Sequence, residues 1–155
     1  MKKVALRLAT QQDKSLAVAF DYAFDKCDHV KLNREAKIIK AISDKECFII
    51  LVGSRAVGFI IFDYRFFEQG WIELIIIDEK YRSKGIGGQV FDLICKQCKT
   101  DKVFTSTNTS NIPMQKALAK VGFSIAGKID GLDEGDPELF YYKENTSKNA
   151  KKQRK

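Results

Sequence analysis

The sequence predicts an α/β (α+β) protein in which helices flank a mixed, mostly antiparallel central sheet. Seven short segments rich in apolar and aromatic residues are typical of strands, and apolar residues recur with the helical period of 3.6 in four others. Three of the strand segments follow one another through tight turns, as in an antiparallel meander. With 155 residues and 45% hydrophobic content, the chain can bury a single sizeable core. We therefore expect one domain over residues 1–143.

The first elements are a strand and two helices. VALRL at 4–8 alternates as a half-buried strand does, and Asp13 precedes a helical pattern that continues to Phe24. A second, amphipathic helix is predicted at 33–42, with Asn33 as its N-cap.

The three meander strands come next. CFIILVG and VGFIIFDYRFF are joined by a Gly-Ser-Arg turn, and WIELIIID follows a turn at Glu68-Gln69-Gly70. Sequential strands with such short connections pair antiparallel.

After Asp78 the apolar period changes to 3.6 through Ile94, which predicts a helix of about three turns. VFTST at 103–107 is a strand, and a helix from Ile112 to Val121 has Asn111 as N-cap and Gly122 as its stop. FSIAGKI at 123–129 and ELFYYK at 138–143 are the last strands. The predicted order is β-α-α-β-β-β-α-β-α-β-β.

Composition excludes several classes of protein. No apolar run approaches eighteen residues and the N-terminus lacks a signal-peptide core, so we expect a cytoplasmic protein without a membrane partner. The Cys95-Lys-Gln-Cys98 pair has no second pair, and His29 is the single histidine. We expect reduced cysteines that pack on a helix face, and no metal.

The net charge of +7 is concentrated at the C-terminus. The last thirteen residues carry six cations against one anion, which leaves +2 for residues 1–142. Residues 144–155 are expected to be a solvated, disordered tail, with weak nucleic-acid binding as the alternative. Without aromatic or base-reading residues, we do not expect a nucleic-acid partner.

The segment YRSKGIGGQV at 81–90 places two cations and three glycines between a strand and a helix. Backbone N–H groups there can converge near the positive end of the helix, which favours a phosphate or pyrophosphate ligand. The spacing is neither G-x-G-x-x-G nor that of a P-loop; it is R-x-x-G-x-G from Arg82 to Gly87.

ELIIIDEKYRSKGIGGQVFDLI resembles the coenzyme A-binding motif of the Gcn5-related N-acetyltransferase (GNAT) superfamily, and N-x-x-M-x-K-A-L-x-K-x-G-F from Asn111 to Phe123 resembles its second motif. The resemblance covers residues 71–143, and the order of elements matches that fold over 1–70. It implies an acetyl-CoA-dependent N-acetyltransferase with coenzyme A as its cofactor, and it does not indicate the acceptor. Implied cofactor contacts are the backbone of Arg82, Ser83, Lys84, Gly85, Ile86, Gly87 and Gly88, the main chain of Ile75 and Ile77, and Asn111.

Catalytic groups follow less directly. Glu73 is the carboxylate within an otherwise apolar strand. Burial there would raise its pKa toward the range that a general base needs, although the side chain could equally face solvent. The position of the family's usual tyrosine acid falls at Leu118, so either Tyr141 or Tyr142 replaces it or the thiolate leaves unaided.

The segment 130–138 is acidic, and it could attract a cationic acceptor through Asp133, Glu134 and Asp136 or simply form a solvated turn.

The sequence allows three functions: an acetyltransferase acting on a small-molecule or peptide amine, a binding protein that keeps the coenzyme A groove without catalysis, and an RNA- or ribosome-linked enzyme using the tail. Exposed sheet edges also allow a homodimer.

Overall fold

The computed structural model describes residues 3–24 and 28–145, with side chains described for 3–22 and 33–145. Within these ranges the elements follow the predicted order, and two short 3₁₀ helices are added at Gln11–Asp13 and Glu79–Tyr81. The elements are β1 (Val4–Leu8), α1 (Lys14–Phe24), α2 (Asp28–Ser43), β2 (Cys47–Val52), β3 (Arg55–Phe66), β4 (Gln69–Ile77), α3 (Ile86–Gln97), β5 (Lys102–Asn108), α4 (Ile112–Lys120), β6 (Ser124–Ile129) and β7 (Glu138–Glu144).

The strands form a sheet in the order β1-β2-β3-β4-β5-β7-β6. Pairing is antiparallel for β1 with β2, β2 with β3, β5 with β7 and β6 with β7, and parallel for β4 with β5. The parallel pair extends only over Gly70–Ile72 opposite Val103–Thr105. The predicted mixed, mostly antiparallel sheet with flanking helices is confirmed.

The described chain divides into two compact units, residues 3–62 with 74–90 and residues 63–73 with 91–145. In the first unit, Ile38, Ala41 and Ile42 recur at helical spacing on α2 and are buried against alternate residues of β2 and β3, among them Ile49 and Phe59. This packing explains why α2 is amphipathic.

The second unit has its own core. Val103, Thr105 and Thr107 alternate along β5 as buried residues, and Phe91 contacts Phe123 with ring centroids 5.8 Å apart. Fully buried Leu118 of α4 lies in the same unit. One face of β5 is therefore the covered face.

The C-terminal end of the folded chain extends slightly past the predicted boundary at residue 143. β7 ends at Glu144, and buried Asn145 donates from its side-chain amide to the carbonyls of Cys95 (2.7 Å) and Cys98 (3.3 Å). Both cysteines are buried and free, as their predicted packing role requires. The remaining tail, residues 146–155, lies outside the described residues.

Three local predictions were wrong. The turn predicted at Gly-Ser-Arg contains only Gly53 and Ser54, because Arg55 already belongs to β3 and pairs with Val52. α2 begins at Asp28, so Asn33 lies inside the helix at an exposed position and is not its N-cap; an exposed asparagine costs a helix interior only a few tenths of a kcal/mol, about 0.5. The β3–β4 turn is Phe67-Glu68, where both residues have positive φ (49° and 60°), while Gln69 and Gly70 belong to β4. A two-residue hairpin turn needs positive φ at both positions to match the twist of its strands. Phe67 and Glu68 adopt it here, although glycine is the residue usually preferred there.

Gly58 of β3 allows an unusually close approach of β4. A Cβ atom there would lie 2.1 Å from the carbonyl oxygen of Ile76. Beside it the register between β2 and β3 shifts at Ile50/Leu51, and the amide of Asp78 donates to the carbonyl of Val57 at 2.8 Å. The end of β4 is therefore positioned by a contact that only glycine permits.

We predict that Gly58→Ala lowers the free energy of unfolding by about 1–3 kcal/mol, because backbone atoms of β4 must move to admit the methyl group. Gly127→Ala is the matched control, since a Cβ on this β6 glycine would meet no atom within 4 Å. Urea unfolding of both variants checks this. Equal stability of the two variants would contradict the close-approach account.

Candidate active site

The glycine-rich loop of the first unit connects the end of β4 to α3. The side chain of Asp78 accepts a hydrogen bond from the amide of Lys80 at 3.0 Å and so caps the short 3₁₀ helix Glu79–Tyr81. The backbone then adopts the left-handed conformation at Ser83 (φ 57°) and again at Gly85 (φ 74°). Two left-handed residues so close together turn successive N–H groups out of the ordinary strand or helix pattern.

The first turn of α3 supplies further N–H donors. α3 begins at Ile86, and the amide of Gln89 donates to the carbonyl of Gly85 at 3.3 Å. The N–H groups of Ile86, Gly87 and Gly88 precede that bond, so they have no acceptor within the helix. Together with the positive end of the helix dipole, this arrangement suits an anion.

The two cations of the loop fold back onto its backbone. Arg82 donates from Nε to the carbonyl of Ile77 at 2.8 Å, and Lys84 donates from Nζ to the carbonyl of Lys80 at 2.7 Å. Lys84 Nζ also lies 5.4 Å from the centre of the Tyr81 ring. The cations therefore hold the loop in shape, and they bring positive charge to it.

The β4 residues predicted to line the cofactor belong to the same unit as the loop. Ile75 and Ile77 are half-buried, and the Ile77 carbonyl already accepts the hydrogen bond from Arg82. A Cβ on Gly87 would lie 3.7 Å from the Cδ1 atom of Ile77, an ordinary contact distance. The predicted cofactor residues at 75, 77 and 82–88 are thus brought together at the end of one strand and the start of one helix.

Glu73 lies in the second unit, half-buried on β4. Its Oε2 accepts a 2.6 Å hydrogen bond from Nε1 of Trp71, two residues earlier on the same face of the strand. The sequence interpretation considered Glu73 alone and missed Trp71. Their i, i+2 spacing in a strand is the signal that could have revealed the pair.

The two candidate tyrosines of β7 lie on opposite faces of the strand. Tyr141 is buried opposite Thr105, and burial raises the pKa of its hydroxyl. Tyr142 is half-buried in register with Phe104, which is itself in register with Trp71. Tyr142, and not Tyr141, therefore shares the sheet face of Trp71 and Glu73.

Asn111 caps α4 as the sequence predicts. Its Oδ1 accepts a hydrogen bond from the amide of Met114 at 3.3 Å, and Pro113 follows in the first turn.

Two acidic residues of the β6–β7 loop bind the segment just before Asn111. Asp133 accepts a 2.8 Å hydrogen bond from the side chain of Asn108, and Asp136 accepts from the hydroxyl of Thr109 (2.9 Å) and the amide of Ser110 (3.0 Å). Hydrogen bonds from Ser110 and Thr109 lower the pKa of Asp136. These two carboxylates hold the β6–β7 loop against the approach to α4, whereas Glu134 is exposed.

The described residues contain neither a metal-binding group nor a membrane-spanning helix. Among them, no three His, Cys, Asp or Glu side chains are grouped so that they could hold a metal ion. No helix in 3–24 or 28–145 is long and apolar enough to span a bilayer.

The chain belongs to the acetyltransferase (GNAT) family, whose family model matches residues 14–123. Members of this family use acetyl-CoA as the acyl donor, and the left-handed loop with its unpaired helix amides fits the pyrophosphate of that cofactor. The resemblance seen in the sequence is thereby confirmed.

Individual relatives agree with this assignment. A GNAT-family acetyltransferase from Bacillus cereus ATCC 10987 has a similar structure, with a TM-score of 0.82, 30% identity, and coverage of 92% of this chain and 97% of that one. A Bacillus anthracis Ames acetyltransferase in complex with acetyl coenzyme A shares the fold at a TM-score of 0.58 and 24% identity, covering 63% of this chain and 62% of that one. N-alpha-acetyltransferase 30 of Xenopus laevis is 30% identical over 86 residues, 50% of this chain and 31% of the relative. The chain thus spans about a third of the length of that relative.

We predict that Gly85→Ala weakens acetyl-CoA binding about tenfold, because alanine resists the left-handed conformation that turns the loop amides. The matched control is Gly53→Ala. Gly53 also has a positive φ (63°), and neither glycine has an atom within 4 Å of its would-be Cβ. Both variants should lose about 1 kcal/mol of stability. Calorimetry that finds unchanged affinity for Gly85→Ala would contradict the role of the loop.

Proposed function

We propose that the protein is an acetyl-CoA-dependent N-acetyltransferase that acts on a primary amine of a small molecule or peptide. The observation that carries the proposal is the loop Ser83–Gly88, in which left-handed residues and the first turn of α3 present backbone N–H groups to one side of the strand end. Membership of the GNAT family indicates acetyl-CoA as the acyl donor. The proposal adds a primary amine as the acyl acceptor.

The loop would bind the pyrophosphate through the amides of Ser83 to Gly88, since glycine lets an anion approach the backbone closely. The amide of Arg82, which the sequence also suggested, already donates to the carbonyl of Glu79 at 3.2 Å. The main-chain groups of Ile75 and Ile77 would pair with the pantetheine arm as an added strand does. Asn111 would lie along the arm while it caps α4. These roles fix the donor in place before an amine arrives.

Bound acetyl-CoA supplies a thioester, and transfer forms a bond from the amine nitrogen to the acetyl carbon, breaks the carbon–sulfur bond and leaves a thiol. Because an ammonium ion has no lone pair, a base must first remove a proton. Glu73 is proposed as that base, and the indole N–H of Trp71 would hold its carboxylate in one orientation. Tyr142 is proposed to return a proton to the sulfur, since it shares the sheet face of Trp71, with water as the alternative donor.

A second candidate function is supported by one residue. Leu118, at the position of the family's usual tyrosine, is fully buried and has no proton to donate. A protein that binds acyl-CoA without transferring the acyl group would not need that proton. Turnover therefore distinguishes the two candidates.

The acceptor is proposed as a class of amine. The name of the Xenopus relative supports the α-amine of a peptide as one acceptor. Exposed Glu134 is the proposed contributor of negative charge near the acceptor, because Asp133 and Asp136 already bind Asn108, Thr109 and Ser110.

We predict that Glu73→Gln lowers kcat for amine-dependent thiol release about 100-fold, because glutamine cannot take the proton, while the dissociation constant for acetyl-CoA stays unchanged. Glu68→Gln, at the exposed β3–β4 turn, is the matched control and should behave as wild type.

Thiol release by wild type across an amine panel is measured first. Binding of acetyl-CoA without any release would favour the binding-protein alternative. Release that is equally fast in Glu73→Gln would refute Glu73 as the base.

A further inference from the structure

Five aromatic side chains of the second unit form a continuous layer on one face of its strands. Phe66 stacks on Trp71 with centroids 4.6 Å apart, and it lies 5.4 Å from Phe104 and 5.7 Å from Phe140. Trp71 and Phe140 are 6.0 Å apart, and Phe104 and Tyr142 are 6.1 Å apart. We call these five rings the aromatic face.

The aromatic face is not part of the buried core. Along β5 and β7 the alternate residues Val103, Thr105 and Tyr141 are buried, whereas all five rings of the aromatic face are half-buried. Phe67 extends the layer at the hairpin turn, 5.0 Å from Phe66, with 83% of its surface exposed. A contiguous, partly exposed aromatic layer of this kind is typical of a binding surface.

The aromatic face presents negative ring potential, and it is bordered by one carboxylate and one ammonium group. Glu73 borders it, held to Trp71 by the 2.6 Å hydrogen bond. At the other side, the ammonium of Lys102 lies 5.4 Å from the centre of the Tyr142 ring, so these rings already accept a cation. At the Glu73 side, the charge complement of this face is an ammonium ion attached to an apolar or aromatic group.

We infer that the aromatic face binds the apolar part of the acceptor, with the amino group toward Glu73. This inference rests on the proposed function and names its substrate class: a primary amine with an aromatic or bulky apolar substituent close to the nitrogen. Offset or edge-on contact with aromatic rings favours such a substituent over a hydrophilic chain. A polyamine has only short methylene segments between its cationic nitrogens, so it offers the rings less apolar surface than an aromatic substituent does.

Trp71 makes the inference testable without turnover, because it is the single tryptophan of the chain. The experiment titrates the protein, in the presence of coenzyme A, with 2-phenylethylamine, 2-aminoethanol and spermidine while its fluorescence is recorded. Thiol release with acetyl-CoA gives kcat/KM for the same three amines.

We expect 2-phenylethylamine to change the fluorescence of Trp71 and to have the highest kcat/KM. Phe140→Leu, which keeps an apolar side chain but removes a ring, should weaken binding of 2-phenylethylamine about threefold to tenfold. Its affinity for acetyl-CoA should not change, and its kcat/KM for 2-aminoethanol should fall less than its kcat/KM for 2-phenylethylamine. Phe48→Leu is the control, because Phe48 is a half-buried strand phenylalanine of the first unit.

The outcomes separate the two proposals. Thiol release that is equal for the three amines, or unaffected by Phe140→Leu, overturns the substrate class while the acetyltransferase stands. Fluorescence-detected binding without thiol release supports the aromatic face and overturns the acetyltransferase. If ultracentrifugation shows a dimer that Phe140→Leu dissociates, and no amine alters the fluorescence, the face is an interface between copies and the inference is wrong.

Discussion

At Gly58 the backbone of β3 approaches the carbonyl of Ile76 so closely that no other residue fits without movement. The residues that follow Ile76 in the sequence make further contacts that hold this strand end. Just after Ile76, the amide of Asp78 bonds to the carbonyl of Val57, and Arg82 then bonds to the carbonyl of Ile77. The loop before α3 therefore starts from a strand end that is held by backbone contacts to β3 and by the side chain of Arg82.

Because the end of β4 is held in this way, the loop can form a binding site with few functional side chains. Its donors are N–H groups, and their directions depend on the left-handed conformations at Ser83 and Gly85. Because the cations bond back to the loop carbonyls, they contribute charge and also rigidity. A site preorganised in this way loses little entropy when an anion binds.

In the proposed enzyme, donor binding and acceptor choice would draw on different kinds of chemistry. The loop, with Ile75 and Ile77, offers main-chain groups that suit any acyl-CoA. In the proposed function, the carboxylate of Glu73 and the ring faces of Trp71 and its aromatic neighbours would discriminate among amines. Members of one family can thus keep the donor while the acceptor changes with a handful of side chains.

The parts that the sequence predicted are those determined by local rules. Strand and helix periodicity gave the order of elements, Asn111 was recognisable as a cap, and the glycine spacing pointed to the loop. The parts it did not predict depend on neighbours distant in sequence or on unusual backbone. Asp136 looked like a free acid until its bonds to Thr109 and Ser110 were seen, and Phe67-Glu68 forms a turn without glycine.

The most direct test of the central claim is to follow the backbone amide resonances of the ¹⁵N-labelled protein during titration with coenzyme A and, separately, with pantetheine. If the loop amides bind the pyrophosphate, the signals of Ser83 to Gly88 shift with coenzyme A and hardly move with pantetheine, which lacks that group. Equal shifts with both ligands, or loop signals that coenzyme A leaves unchanged, would contradict the account.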